Sequence, residues 1–282
     1  MNTEGSLSDD HESIPLEDEH EVFAVVTEDL DLASLQDFSA WQSAYQSLMA
    51  KSIGYAHWLL RSKEWRLVYN VAEDRFRLFE LTLPAEIEDF ATKPNATYHT
   101  VKVSGVMNVK AERLMYVIAD HDSDTRLKWD SDDLASISEV QTFKTDRGDI
   151  KVVLSEIKSP FPLIANRVVL GIMWRGYTAA TKTYKLIFRS TIHWLYKVAE
   201  HQVALDGLIA VVVRVLDSPT PSCEVIIVAH LSLGGTVPSV LVGLLKERLR
   251  QRLELYERVT KRWNDYYGPS RNPKLIANRK KT

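Results

Sequence analysis

The 282-residue sequence predicts an α+β fold, with a curved antiparallel sheet of about nine strands around a long C-terminal helix. Three observations predict it. Apolar residues recur three and four apart near both ends of the chain, as on one face of a helix. Between those ends the period drops to two, segment after segment, as in half-buried strands. Tight turns, not helices, separate most of these segments, which favours antiparallel neighbours over parallel crossovers.

Taken in order, residues 1–30 are acidic and poor in aromatics and read as a disordered leader. The folded domain is expected over 31–267, and a basic tail over 268–282. Leu35, Phe38, Trp41, Tyr45, Leu48, Ser52, Tyr55 and Leu59 trace one amphipathic helix, with Gly54 as a candidate break. Strands follow at Trp65–Asn70, Arg75–Leu83 and Thr97–Val106. Asn108 is a candidate cap for a helix from about Lys110 to His121. A polar segment then leads to Arg126-Leu127-Lys128-Trp129-Asp130. Six more strands are placed near 135–143, 150–157, 167–175, 182–192, 203–217 and 224–232. Asp146-Arg147-Gly148, Ser159-Pro160-Phe161-Pro162 and Ser218-Pro219-Thr220-Pro221 punctuate them. The last element is a helix from Pro238 to about Tyr267, apolar at its start and basic further on.

Apolar residues make up 45% of the chain, enough for a sizeable core. Cys223 is the only cysteine, so no intrachain disulfide forms, which favours a reducing compartment. The opening residues lack the basic and apolar regions of a secretory signal, and no apolar run approaches the ~18 residues of a spanning helix. A cytoplasmic protein, peripheral at membranes, is the expectation. Residues 1–50 hold 12 Asp and Glu and no Lys or Arg, leaving the remainder with a net charge of +9. Such a basic body is attracted to anionic surfaces, or is an ordinary surface beside a solubilising leader.

Five motifs now bear on the family. Arg126-x-x-Trp129-Asp130, Pro160-Phe161-Pro162, Trp174-Arg175, Arg189-Ser190 and Gly235-Thr236-Val237-Pro238 occur in this order within the matching element sequence. In this the chain resembles the START (steroidogenic acute regulatory protein-related lipid transfer) domain family over about 60–267. The sequence departs from the family at three positions. Asn166-Arg167 stands where Arg-Asp is usual, Ile172 where an arginine often reaches the cavity, and Ser232 where an aspartate precedes the final loop.

The resemblance implies a helix-grip fold enclosing one hydrophobic lipid, a sterol or a phospholipid-like molecule. Periodicity alone does not separate a filled core from a lined cavity. With the chosen strand parity, Leu154, Leu170, Ile172, Phe188, Val212 and Val228 face the cavity, as do Val168, Leu186, Ala210 and Ile226. Leu241, Leu244 and Leu245 of the last helix form its lid. Arg189 and His230 are the polar candidates for choosing the ligand. His193 and Arg214 lie beside them on the predicted strands. Phe161, Pro162, Leu163 and Ile164, in the loop 159–165, and Pro238 form the gate, which either covers the open end of the sheet or dips into a bilayer. The cations of the last helix are either a solvated face, with Glu254–Arg258 and Glu257–Lys261 as i,i+4 pairs, or a contact for anionic headgroups.

No Ser/His/Asp spacing, Gly-rich phosphate loop or Cys/His metal pattern is present, so no enzyme, catalytic residue, metal or cofactor is expected. Basic residues do not interleave with aromatics on strands, so nucleic acid is not an expected partner. The expected partners are a lipid and, transiently, anionic membrane, with the chain a monomer. The alternative within this class is a lipid-sensing module that binds without transfer; a helix-grip enzyme ranks below both.

Overall fold

The computed structural model of the chain describes residues 37–69, 75–82, 97–146, 148–159, 165–193, 196, 202–233 and 239–268, with the side chains of residues 69 and 239–246 outside the description. The leader, Phe161, Pro162, Leu163, Ile164, Pro238, and residues 269–282 of the tail therefore lie outside the described residues. So do the side chains of Leu241, Leu244 and Leu245.

Helix α1 (Phe38–Arg61) is capped by Asp37, whose Oδ1 accepts the Ala40 N–H at 2.7 Å. Gly54 does not break it. That position is exposed, and a Cβ there would meet nothing, so the helix continues through it. Strands β1 (Arg66–Tyr69), β2 (Phe76–Leu81) and β3 (His99–Met107) follow. Asn108 is not the cap of α2 (Ala111–Ile118): the position before the helix is Lys110, and Asn108 instead gives its backbone N–H to the Glu257 carboxylate. The polar segment after it contains a further helix, α3 (Ser123–Asp130), capped by Asp122.

Strands β4 (Leu134–Phe143), β5 (Ile150–Ile157), β6 (Arg167–Thr178) and β7 (Thr183–Ser190) come next. The long strand expected over 203–217 is divided into β8 (Val203–Ala204) and β9 (Asp206–Val215), and β10 (Cys223–Ser232) closes the sheet. The spatial order is β1-β2-β3-β10-β9-β7-β6-β5-β4, antiparallel throughout, with the short β8 parallel to β6. The single C-terminal helix expected to Tyr267 is α4 (Ser239–Lys261) and α5 (Trp263–Tyr267), separated at Arg262, where ψ is 32°.

Each central strand buries both faces, and the two faces meet different helices. Leu208, Ala210 and Val212 of β9, and Ile226 and Val228 of β10, pack with Tyr45, Met49 and Ile53 of α1. Val211 and Val213 of β9, and Val225 and Ile227 of β10, pack with Leu114 of α2 and Leu253 of α4. We call these the α1 face and the α4 face.

A buried ion cluster fixes α4 from Arg248 onward. Arg126 donates from Nε to Asp130 at 2.8 Å and from Nη1 to the carbonyls of Val117, Ile118 and Asp120, which closes the C-terminal end of α2. Its guanidinium lies 4.1 Å from the Trp129 ring centre. Asp130 also accepts from Arg252 of α4, and Arg248 pairs with Asp133 at 3.0 Å. The Arg-x-x-Trp-Asp motif thus joins α2, α3 and α4. Near the far end of α4, Glu257 is buried against Lys261 and Arg75. Burial alone would raise its carboxyl, but those two cations outweigh it and hold the pKa below the ordinary value. Glu257–Lys261 is the expected pair; Glu254 engages Arg250 instead.

Candidate functional site

The α4 face is built from cross-strand rows. One row runs Val101–Ala229–Ile209–Phe188–Met173 across five strands, and the next runs Val103–Ile227–Val211–Leu186. All nine side chains are apolar. The second row is fully buried against α2 and Leu253, which makes it a filled floor. The first row differs. Val101 and Ala229 are buried, but Ile209 and Phe188 are only partly so, although they lie on central strands. On the opposite face of the same strands, Leu208 and Ala210 are at 0% exposure. Leu249, which reaches this row from α4, is also partly exposed. Phe188 and Ile209 are thus the partly exposed members of a row whose Val101, Ala229 and Met173 are buried, and Leu249 of α4 packs beside them.

Phe188 is seated by Gly171. A Cβ at that position would collide with the Phe188 ring and with the Arg189 carbonyl, so glycine is what lets the ring lie across β6. Val169, Leu205 and Leu231 pack with Val101 and Ala229 on this face, next to Phe188, Ile209 and Leu249.

The residues expected to face one cavity are divided between the two faces of the sheet. Leu154, Leu170, Ile172, Val212 and Val228 pack with α1, on the side away from α4. Ala210 and Ile226 lie with them. Phe188 and Leu186 do face α4. A shift of one residue moves every side chain of a strand to the other face, so neighbouring strands need not share one parity. On β6 the residue that faces α4 is Met173, not Ile172.

Arg189 and His230 are buried together, but also toward α1. The row is Leu81–Thr100–His230–Leu208–Arg189–Ile172. His230 Nδ1 lies 2.8 Å from Thr100 Oγ1, and its ring stacks on Tyr98 at 4.7 Å and meets the edge of Tyr55 of α1 at 5.6 Å. Asp206 accepts from Tyr98 and from Ser190, and Ser190 in turn accepts the Gly207 N–H at 2.8 Å. Burial pushes the His230 pKa down to about 4; Arg189 adds to the fall and Asp206 opposes it. A neutral imidazole here holds α1 to the sheet. His193 bonds Gln141 at 3.0 Å among the rings of Trp41 and Tyr45, and Arg214 pairs with Glu224 at 2.8 Å.

Cys223 is buried, and its thiol is pushed up to about 12 by burial and then by Glu257, which leaves it a poor nucleophile. Among the described residues no group of His, Cys, Asp and Glu is arranged to hold a metal ion. Among them, too, no helix is long and apolar enough to cross a membrane. A pocket of ≈ 90 Å³, lined by Leu154, Val168, Leu170 and Tyr196 and by the polar Ser136, Ser155, Glu156 and Gln202, is below the ~300 Å³ at which ligand pockets begin.

No family model matches the sequence, and no curated protein matches it. Solved structures do. Human STARD10 is 17% identical, with 83% of this chain and 85% of that one covered and a TM-score of 0.58. Human StAR-related lipid transfer protein 5 is 14% identical, over 80% of this chain and all (100%) of that one, with a TM-score of 0.60. The lipid transfer and protein localization domain of human StarD13 is 11% identical, over 76% and 95%, with a TM-score of 0.53. Identities this low establish the fold, and the fold is that of the START domain, with its sheet gripping the C-terminal helix.

Proposed function

We propose that this START fold holds one weakly polar lipid between the sheet and the first turns of α4, and carries it between membranes. The observation that supports this reading is the incomplete burial of Phe188 and Ile209 beneath α4, in a row with no charged member. The solved neighbours named for lipid transfer agree with it. The ligand wall is Val101, Val169, Met173, Phe188, Ile209 and Leu231, with Leu241, Leu244 and Leu245 of α4 as its lid. The apolar Met173 favours a sterol or another lipid with a small polar group over one whose phosphate needs a buried cation.

Enclosure is what makes transport through water feasible. At ~0.8 kcal/mol for each methylene, a sixteen-carbon chain faces roughly 13 kcal/mol of exposure. Opening is favourable only where lipid replaces water. The proposed gate is the 159–165 loop with Pro238 and the start of α4, at the end opposite the Glu257 anchor. Docking to membrane relies on this apolar rim more than on α4 charge. Arg248, Arg250, Arg252 and Lys261 are already paired within the protein, and surface attraction is worth roughly 1 kcal/mol for each cation close to the bilayer.

The test is transfer of a fluorescent sterol between vesicles by the full chain. Transfer that scales with protein concentration is expected, and Ile209→Trp should abolish it. A protein that binds the sterol but never exchanges it would be a sensor, and one that binds none would end the proposal.

A further inference from the structure

Large apolar side chains are exposed at one corner of the domain. Phe38 at the start of α1 is 51% exposed, Ile192 49% and Tyr196 41%. They are brought together by a chain of contacts. Phe38 stacks on Phe143 at 5.1 Å, Trp41 lies 6.0 Å from His193, His193 lies 6.1 Å from Tyr196, and Tyr45 donates to the Ile192 carbonyl at 2.6 Å. Beside Tyr196 the ≈ 90 Å³ pocket is lined by Leu154, Val168 and Leu170 and, around them, by Ser136, Ser155, Glu156 and Gln202. It is well below the ~300 Å³ at which ligand pockets begin, so it suits a side chain and not a lipid.

The chain itself supplies a fitting occupant. Residues preceding Asp37 arrive at this corner, because Asp37 caps the helix whose first residue is Phe38. Within 1–36 the longest apolar run is Val22-Phe23-Ala24-Val25-Val26, with Glu17, Asp18, Glu19 and Glu21 before it and Glu28, Asp29 and Asp31 after it. Five uncharged residues rich in β-branched side chains gain by burial and, left exposed, invite association. Residues 27–36 join that run to Asp37, and ten residues reach at most roughly 35 Å. The corner is within that radius. The α4 cations are a poorer seat for the segment, since most are engaged with carboxylates of their own.

We propose that residues 22–26 fold back over this corner, cover Phe38, Ile192 and Tyr196, and place one side chain in the Leu154–Val168–Leu170 pocket. The leader is then an intramolecular cap whose acidic flanks stay in water, and the corner is not a docking site for other molecules.

Hydrogen exchange of the full chain, with Phe23→Ser and Val25→Ser combined as the variant, tests this. Serine removes the apolar contact without adding charge. The variant should exchange several-fold faster over 38–45 and 190–196, while β9 and β10 are unchanged and both proteins sediment as monomers. Tyr196→Asp should reproduce that change from the other side. Equal exchange in variant and wild type overturns the proposal. Protection that grows with protein concentration alongside a dimer assigns the corner to a second copy, and protection that appears only with phosphatidylcholine–phosphatidylserine vesicles assigns it to membrane. Either of those results also overturns it.

Discussion

Replacing Asp130 by Asn tests how α4 is held. Asp130 has 1% of its side chain exposed and meets two cations, Arg126 and Arg252, whose side chains are 8% and 19% exposed. Asparagine keeps the shape and removes the charge, leaving both guanidinium groups buried without their shared counter-ion. Breaking a buried pair in this way costs about 3–5 kcal/mol. Arg126 keeps three carbonyl acceptors and Arg252 keeps Asp133 at 3.7 Å, which places the expected loss near the lower end, about 3 kcal/mol. For a domain of this size that lowers Tm by about 6–12 °C. Urea unfolding followed by tryptophan fluorescence reads the loss directly. A change below about 1 kcal/mol, the range of an exposed pair, would refute the clamp. Adding Arg252→Met to Asp130→Asn should recover part of the loss, because one uncompensated cation is then gone.

Three further outcomes follow from the assignment of faces. Ile209→Trp should fill the space under α4 and abolish lipid binding at little cost in stability, whereas Val212→Trp, three residues along β9 on the α1 face, should cost about 1–3 kcal/mol through overpacking and leave the ligand wall intact; binding assays beside urea titrations separate the two. Because folding lowers the His230 pKa from 6.5 to about 4, the unfolded chain binds the extra proton first as pH falls, so stability drops between pH 6.5 and 4 by up to roughly 3 kcal/mol. His230→Gln should flatten that part of the stability–pH curve, and an unchanged slope would show that another group carries it. Gly171→Ala should displace Phe188 and cost about 1–3 kcal/mol, read as a lower urea midpoint.

The order of elements was legible because period and turn chemistry change together along the chain. The motif around Trp129 was legible as the family's Arg-x-x-Trp-Asp pattern, and its Arg126 and Asp130 pair at 2.8 Å. The helix containing them was not. Ser123–Asp130 has no apolar period, and it is held by the Asp122 cap and the carbonyls that receive Arg126. The faces of the central strands were illegible for a different reason. Ile209-Ala210-Val211-Val212-Val213 and Val225-Ile226-Ile227-Val228-Ala229 are apolar at every position because α1 covers one side and α4 the other. Alternation identifies a solvated face, and a strand buried on both sides has none. Gly54 misled in the opposite direction, because a glycine on an exposed helix face costs only about 1 kcal/mol and need not end the helix.

Native mass spectrometry of the purified full chain, with lipid extraction from the same sample, measures the central claim most directly. A single lipid adduct on each chain is expected, displaced by sterol and lost in Ile209→Trp. A chain that stays free of adduct in the presence of sterols and phospholipids, with Phe188 and Ile209 protected to the same degree as Leu208 and Ala210, would contradict it.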